Sequence, residues 1–596
     1  MPLRLEDYAL IGDCHTAALV GADGSIDWLC LPRFDSPACF AALLGTPEHG
    51  RWLIAPEGVS RASRRQYRDG SLVLETEFQA DGGALTVTDF MPFHGDIADV
   101  IRIVQGTRGE VRMRMELTLR LDYGSIVPWV QKIDGGIEAI AGPDRLRLLA
   151  PVDLRGEDLT TVASFTIRAG ERLAFDLSWC PSHHEPPAPV NADDALAATH
   201  EFWTEWSNRC TYKGPRHGEV LRSLITLKAL TYAPTGGLVA APTTSLPERL
   251  GGVRNWDYRY CWLRDATFTL MALLQAGYRD EARAWREWLL RAAAGSPSQL
   301  HIMYGIAGER RLPELELPWL PGYERSVPVR TGNAAHMHYQ LDVFGEVLDA
   351  MYQSVKAGLD PTEAGWNLQR ALLEFLESAW DEPDNGIWEV RGPRRHFTHS
   401  KMMAWVAMDR GVKAIEHFGV EGPADRWRTL RDQIHAQVCR DGFNPDVNAF
   451  VQFYGSKRLD ASLLMMSLVG FLPSEDARVQ GTIAAIERDL MQDGFVARYD
   501  TTPEVDGLPE GEGAFLLCTF WLADNLALLG RRDDARRIFE RVLAVRNDVG
   551  LLSESYDAGE RRLVGNYPQA FSHVGLVNTA HNLTREGGPA EERRRD

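Results

Sequence analysis

The chain has 596 residues, of which 44% are hydrophobic and 25% charged, and carries a formal net charge of −19. That length calls for more than one core. The acidic balance argues against a nucleic-acid backbone or an anionic membrane surface as partner, and a neutral ligand is indifferent to it.

The first residues, Met1-Pro2-Leu3-Arg4, begin no charged-then-apolar leader, and no window holds the ~18 uninterrupted apolar residues of a spanning helix. Eight cysteines stand singly without a CxxC, so a reduced, cytoplasmic protein is expected. Asp381 to Gly386 has the outline of a calcium loop, but Pro383 stands where a ligand should be. With no phosphate loop or dinucleotide fingerprint either, no metal and no cofactor are expected. A homo-oligomer is left open.

From Ala9 to about Cys180 apolar and polar residues alternate between turns. Val111, Met113, Met115, Leu117 and Leu119 alternate with Arg112, Arg114, Glu116, Thr118 and Arg120. Leu173, Phe175, Leu177 and Trp179 repeat the pattern. A period of two marks strands with one buried face, and about a dozen short ones without a long helix predict an antiparallel β-sandwich over 1–190. A helical linker follows over 191–214, with Trp203 and Trp206 on it.

After Gly214 the period changes to 3.6. Helices are expected near 217–232, 265–277, 279–294, 334–356, 362–380, 400–418, 424–438, 460–469, 474–489, 513–529, 532–545 and 568–583. Links after odd-numbered helices are long and those after even-numbered ones short, which makes six antiparallel hairpins. Closed in a ring they form an (α/α)6 barrel over 215–584, with all six long loops at one end. The charged tail, 585–596, is expected to be disordered.

Those loops carry the chemistry-bearing residues. The first ends in Tyr258, Trp262, Arg264 and Asp265, and the second leads to Gln340. The third holds Trp388-Glu389 and runs on to Lys401; the fifth holds Glu510 and Glu512, and the sixth Glu554. Aromatic faces beside dense hydrogen-bonding groups suit a polyhydroxylated neutral ligand. A carboxyl against an indole tends to keep its proton, so Glu389 is the expected general acid. Glu554 is the expected general base, with Glu510 and Glu512 as rivals. Loops three and six are diametrically opposed, leaving room for a water and so for inversion at a carboxyl separation of roughly 6.5–9.5 Å. Tyr258, Trp262, Arg264, Asp265, Gln340, Trp388 and Lys401 are the expected substrate contacts. For Arg264 and Asp265 the alternative is a helix cap beside a solvated arginine.

At these positions the sequence resembles glycoside hydrolase family 15, the glucoamylase and trehalase family. Gly24–Leu44, Asn255–Asp265, Gly386–Trp405, Leu551–Asp557 and Asn566–Leu576 carry the resemblance, in order along nearly the whole chain. It implies a β-sandwich on an (α/α)6 barrel, inversion at the anomeric carbon, Glu389 as acid and Glu554 as base. It also implies that Trp262-Leu263-Arg264-Asp265 and Tyr258 hold the non-reducing glucose. The fungal glucoamylases have a glutamate after the acid and a glutamine after the base; here Val390 and Ser555 stand there. The chain therefore looks more like the bacterial and archaeal trehalase branch. A phosphorylase on a similar barrel and a non-catalytic sugar-binding protein are the competing readings.

Overall fold

The computed structural model describes residues 2–93, 95, 97–584 and 588–594. The N-terminal part is an antiparallel sandwich whose two sheets share one strand. That strand, Ala98–Thr118, is 21 residues long. Its first half pairs with Gly83–Phe90 and Arg172–Pro181, its second with Arg51–Pro56 and Thr160–Arg168. The alternation read from Val111 to Arg120 covers only its second half. The strand bends near Gly109, whose φ is +63°, opposite a register shift at Ala84/Leu85. The alternation reads out as expected: Val111, Met113, Met115 and Leu117 are buried, Arg112 and Arg114 exposed.

The linker helix Ala192–Asn208 is capped by Asn191, whose side chain accepts from the N–H groups of Asp193 and Asp194. Trp206 stacks on Tyr278 with ring centroids 4.0 Å apart and donates to Glu281, tying the linker to the barrel.

The barrel has an inner and an outer ring. Ala266–Gln275, Asp342–Lys356, Thr398–Phe418, the turn Ala461–Leu468, Leu516–Leu528 and Ala570–Thr584 pack consecutively and close on themselves. They are the even-numbered helices of the sequence pattern. Thr398–Phe418 and Leu516–Leu528 are buried around nearly their whole circumference. The outer helices, such as Ala424–Asp441 and Arg532–Leu543, bury one apolar stripe. Every inner helix follows a long loop, so all six loops gather at its N-terminal end.

A strand and a loop of the sandwich brace the first of these. Trp28 Nε1 donates to Pro242 O at 2.8 Å, and Arg259 Nη1 donates to Ser36 O at 2.8 Å.

The tail differs from expectation. Pro589–Arg594 is helical, and Arg593 is buried in an ion pair with Asp349, on an inner helix. A cation against a buried acid that already faces Arg410 gives the tail a docking point its composition does not reveal. Residues 585–587 and 595–596 of that segment lie outside the described residues.

Candidate active site

The first long loop is made rigid before it reaches the site. Asp257 accepts from Arg259 Nε at 2.9 Å and from the Gly332 N–H at 3.0 Å, all of it buried. Short ladders join Thr244–Pro247 to Asn255–Asp257 and Cys261–Trp262 to Met303–Tyr304. Tyr258 and Trp262 therefore sit side by side, ring centroids 5.1 Å apart.

Each of these two aromatics holds one glutamate. Tyr258 donates its hydroxyl to Glu554 Oε1 at 2.7 Å, and Trp262 Nε1 donates to Glu389 Oε1 at 3.1 Å. Glu389 precedes the third inner helix and Glu554 the sixth, on opposite sides of the ring. The loop carrying Tyr258 and Trp262 spans one gap between them.

The two carboxyls are set differently. Glu554 is fully buried, and both its oxygens accept: Oε1 from Tyr258, Oε2 from the Asn566 N–H at 3.1 Å. Its backbone is fixed in the small sheet Ala514–Phe515, Ser555–Asp557 and Arg562–Val564. Gly565 must be glycine: at φ +76° a Cβ there would lie 2.5 Å from Glu554 Oε2. Glu389 stands at φ +52°, after the Gly386 turn, with its side chain partly open to the pocket. Both donors to Glu389, Trp262 Nε1 and Arg264 Nη1 (2.9 Å), converge on Oε1; among the described residues none bonds Oε2.

Burial raises both carboxyls above the usual range. Arg264 and Arg498 oppose the shift at Glu389; Arg498 and the Tyr258 hydroxyl oppose it at Glu554. The indole that bonds Glu389 is that of Trp262. The Trp388 indole donates instead to Asp460 Oδ1 at 2.9 Å, while its ring lines the pocket.

Arg264 Nε donates to Asp265 Oδ1 at 3.0 Å and Nη1 to Ile387 O at 3.1 Å. Asp265 occupies the N-cap of Ala266–Gln275 without making a side-chain cap bond, so the capping alternative does not hold. Burial pushes its carboxyl up to about 6 against the pull of Arg264.

Two expected contacts sit elsewhere. Gln340 donates to Gly386 O at 2.6 Å and so pins the turn before Glu389. Lys401, wholly buried, donates to the carbonyls of Trp380 and Glu382 at the end of the helix Glu363–Ala379. Neither lines the pocket, whose wall includes Tyr258, Trp262, Trp388 and Glu389; Arg264, Asp265 and Glu554 lie behind that wall. An amide and an ammonium near a site read alike in sequence whether they face the ligand or the unsatisfied carbonyls of a helix end.

A charged cluster joining the first and fifth loops was not anticipated. Arg498, in the fifth loop, donates from Nε to Glu512 at 2.9 Å and from Nη2 to Glu248 at 2.7 Å. Its guanidinium lies 5.6 Å from the Trp388 ring. Arg254 pairs with Asp506 and donates to Pro509 O at 3.0 Å. Glu248, Arg254, Arg498, Tyr499 and Asp506 line the pocket together with Glu389. Arg498 stands among aromatics in a long loop, between Phe495 and Tyr499, which is the signal that selected Arg264. Glu512, a rival for the base, is engaged by Arg498, and Glu510 is exposed.

Set beside known proteins, residues 214–581 match the family described as Glycosyl hydrolases family 15. Residues 1–181 match the family described as Trehalase-like, N-terminal. The chain is 38% identical to a trehalase of Mycobacterium tuberculosis, the alignment covering 98% of this chain and 91% of that one. It is 33% identical to a trehalase of Thermoplasma volcanium, with 97% and 93% covered. Among solved structures it resembles a bacterial glucoamylase complexed with acarbose, with a TM-score of 0.72 at 12% identity over 98% of this chain and 94% of that one, a likeness of fold.

Proposed function

Because the chain belongs to glycosyl hydrolase family 15, we propose that it hydrolyses α,α-trehalose in preference to maltooligosaccharides, with inversion at the attacked carbon. The relatives named trehalase, matched along nearly their whole length, support that substrate.

One observation carries the mechanism: Tyr258 and Trp262, neighbours in one rigid loop, each hold one of the two carboxyls. Glu554, with donors fixed on both oxygens, is suited to stay a carboxylate. Glu389, with one oxygen free of donors and its charge penalised by burial, is suited to carry a proton. Glu389 protonates the glycosidic oxygen as the C1–O bond breaks. Glu554 takes a proton from the water whose oxygen forms the new bond to C1 from the other face. One water is consumed and two glucoses leave. Arg264 and Asp265 grip hydroxyls of the glucosyl unit being transferred, Asp265 offering a carboxylate unengaged by any helix cap. The eight cysteines form no disulfide, which supports a cytoplasmic setting.

A panel of trehalose, maltose, isomaltose and maltotetraose, each with and without phosphate, tests this reading. Glucose release from trehalose independent of phosphate is expected. A strict phosphate requirement with glucose phosphate as product would indicate a phosphorylase, and binding without turnover a sugar-binding protein.

A further inference from the structure

The segment from Tyr499 to Glu512 is a partition. On one side Asp506 and Leu508 line the catalytic pocket with Trp388 and Glu389. On the other, Thr501, Gly511 and Glu512 line an open cleft of about 870 Å³. Tyr499 borders both.

Both ends of the partition are tied down, Tyr499 by a bridge to Asp460 and Glu512 by Arg498, and its middle is held separately. The Arg391 N–H donates to Asp506 O at 2.9 Å, and Arg254 reaches both the Asp506 carboxylate and Pro509 O. Both members of the Arg254–Asp506 pair are buried, whereas Pro503, Glu504, Gly507, Pro509 and Glu510 are exposed. The segment is thus a largely exposed strap, pinned at its end by the buried Arg498–Glu512 pair and in its middle by the buried Arg254–Asp506 pair.

Beyond it, the cleft offers Tyr556 and Phe495, ring centroids 4.8 Å apart, beside Gln492, Asp500 and Arg458. Aromatic faces among donors and acceptors of both signs suit a neutral oligosaccharide better than an anion or an apolar ligand.

We infer that the Arg254–Asp506 pair is a specificity latch. It holds the strap as the wall that limits the acceptor side of the pocket to one sugar. When it is released, pocket and cleft become one groove that takes longer α-glucosides. Asp506 is here a positioning residue, acting through the strap. The inference rests on the pocket at Glu389 being where the glucoside binds.

The test is titration calorimetry of trehalose and of maltotetraose, in a Glu389→Gln background so that neither sugar is consumed. Adding Asp506→Asn, which keeps the shape and removes the charge, is expected to shift relative affinity towards maltotetraose by tenfold or more. Leu508→Ala, which thins the wall without touching the ion pair, should shift it the same way and serves if the first variant does not fold. A ratio within twofold of the parent in a folded variant overturns the inference, as does failure of maltotetraose to bind either variant. Loss of the functional reading is seen separately, as wild-type protein that releases no glucose from trehalose.

Discussion

Tyr258 donates its hydroxyl to Glu554 at 2.7 Å, and that bond separates the roles of the two glutamates. It favours the charged form of a carboxyl that burial otherwise pushes towards neutrality.

Tyr258→Phe removes the donor and leaves the ring. The Glu554 carboxyl then titrates higher, so the acidic limb of the kcat/KM profile moves to higher pH, and kcat falls about ten- to a hundredfold, as for one hydrogen bond to a charge. An unmoved acidic limb would show that Glu554 is not the group titrating there.

Arg264→Met acts on the other limb. Arg264 holds the Glu389 carboxyl down, so its loss raises that carboxyl further and moves the alkaline limb of the profile up. Because Arg264 is also proposed to bind the sugar, KM for trehalose should rise as well. The two variants shift opposite limbs, which a general loss of structure would not produce.

Glu389→Gln and Glu554→Gln should each cut kcat by several powers of ten, and the double variant should lose little more than the worse single one, since the pair acts as a unit. Steady-state rates on trehalose, with circular dichroism to confirm folding, check this.

How much of this was legible in the sequence follows from what local pattern encodes. The twelve helices and the gathering of six loops come from periodicity and loop length, and both show in the chain. The glutamates, Tyr258 and Trp262 were legible because aromatic and acidic residues in rigid loops are costly unless used. Direction was not legible. Nothing near Lys401 says that it faces the carbonyls of Trp380 and Glu382, nor near Gln340 that it faces Gly386. The cluster of Glu248, Arg254, Arg498, Asp506 and Glu512 was missed because it joins loops some 250 residues apart in sequence. The tail read as disordered because contacts that anchor it, such as Arg593 to Asp349, join residues equally far apart in sequence.

Acidic groups outside the site predict how stability varies with pH. Burial raises the Glu346 carboxyl to about 8 and that of Asp524 to about 7. A carboxyl whose folded value lies above its unfolded one holds its proton longer in the native state. Its contribution is therefore complete below the unfolded value, roughly 4, and is lost as pH rises through the folded value. The apparent Tm should fall between pH 5.5 and 8.5, and Asp524→Asn should flatten that slope. A slope equal to the wild-type one would contradict the assignment.

Arg593→Ala leaves Asp349 with Arg410 alone and strips Glu346 of its nearest cation. A loss of about 3 kcal/mol in denaturant stability is expected for one partner of a buried charge cluster. A change below about 0.5 kcal/mol, as for a surface residue, would mean that the tail helix does not dock.

The central claim is that Glu389 and Glu554 act from opposite faces of one glucosyl unit with a water between them. Proton NMR of trehalose hydrolysis, recorded before mutarotation, tests it most directly. Inversion gives equal amounts of β-glucose, from the attacked ring, and α-glucose, from the departing one. Appearance of α-glucose alone would mean that configuration is retained, and would contradict the arrangement proposed for the two carboxyls.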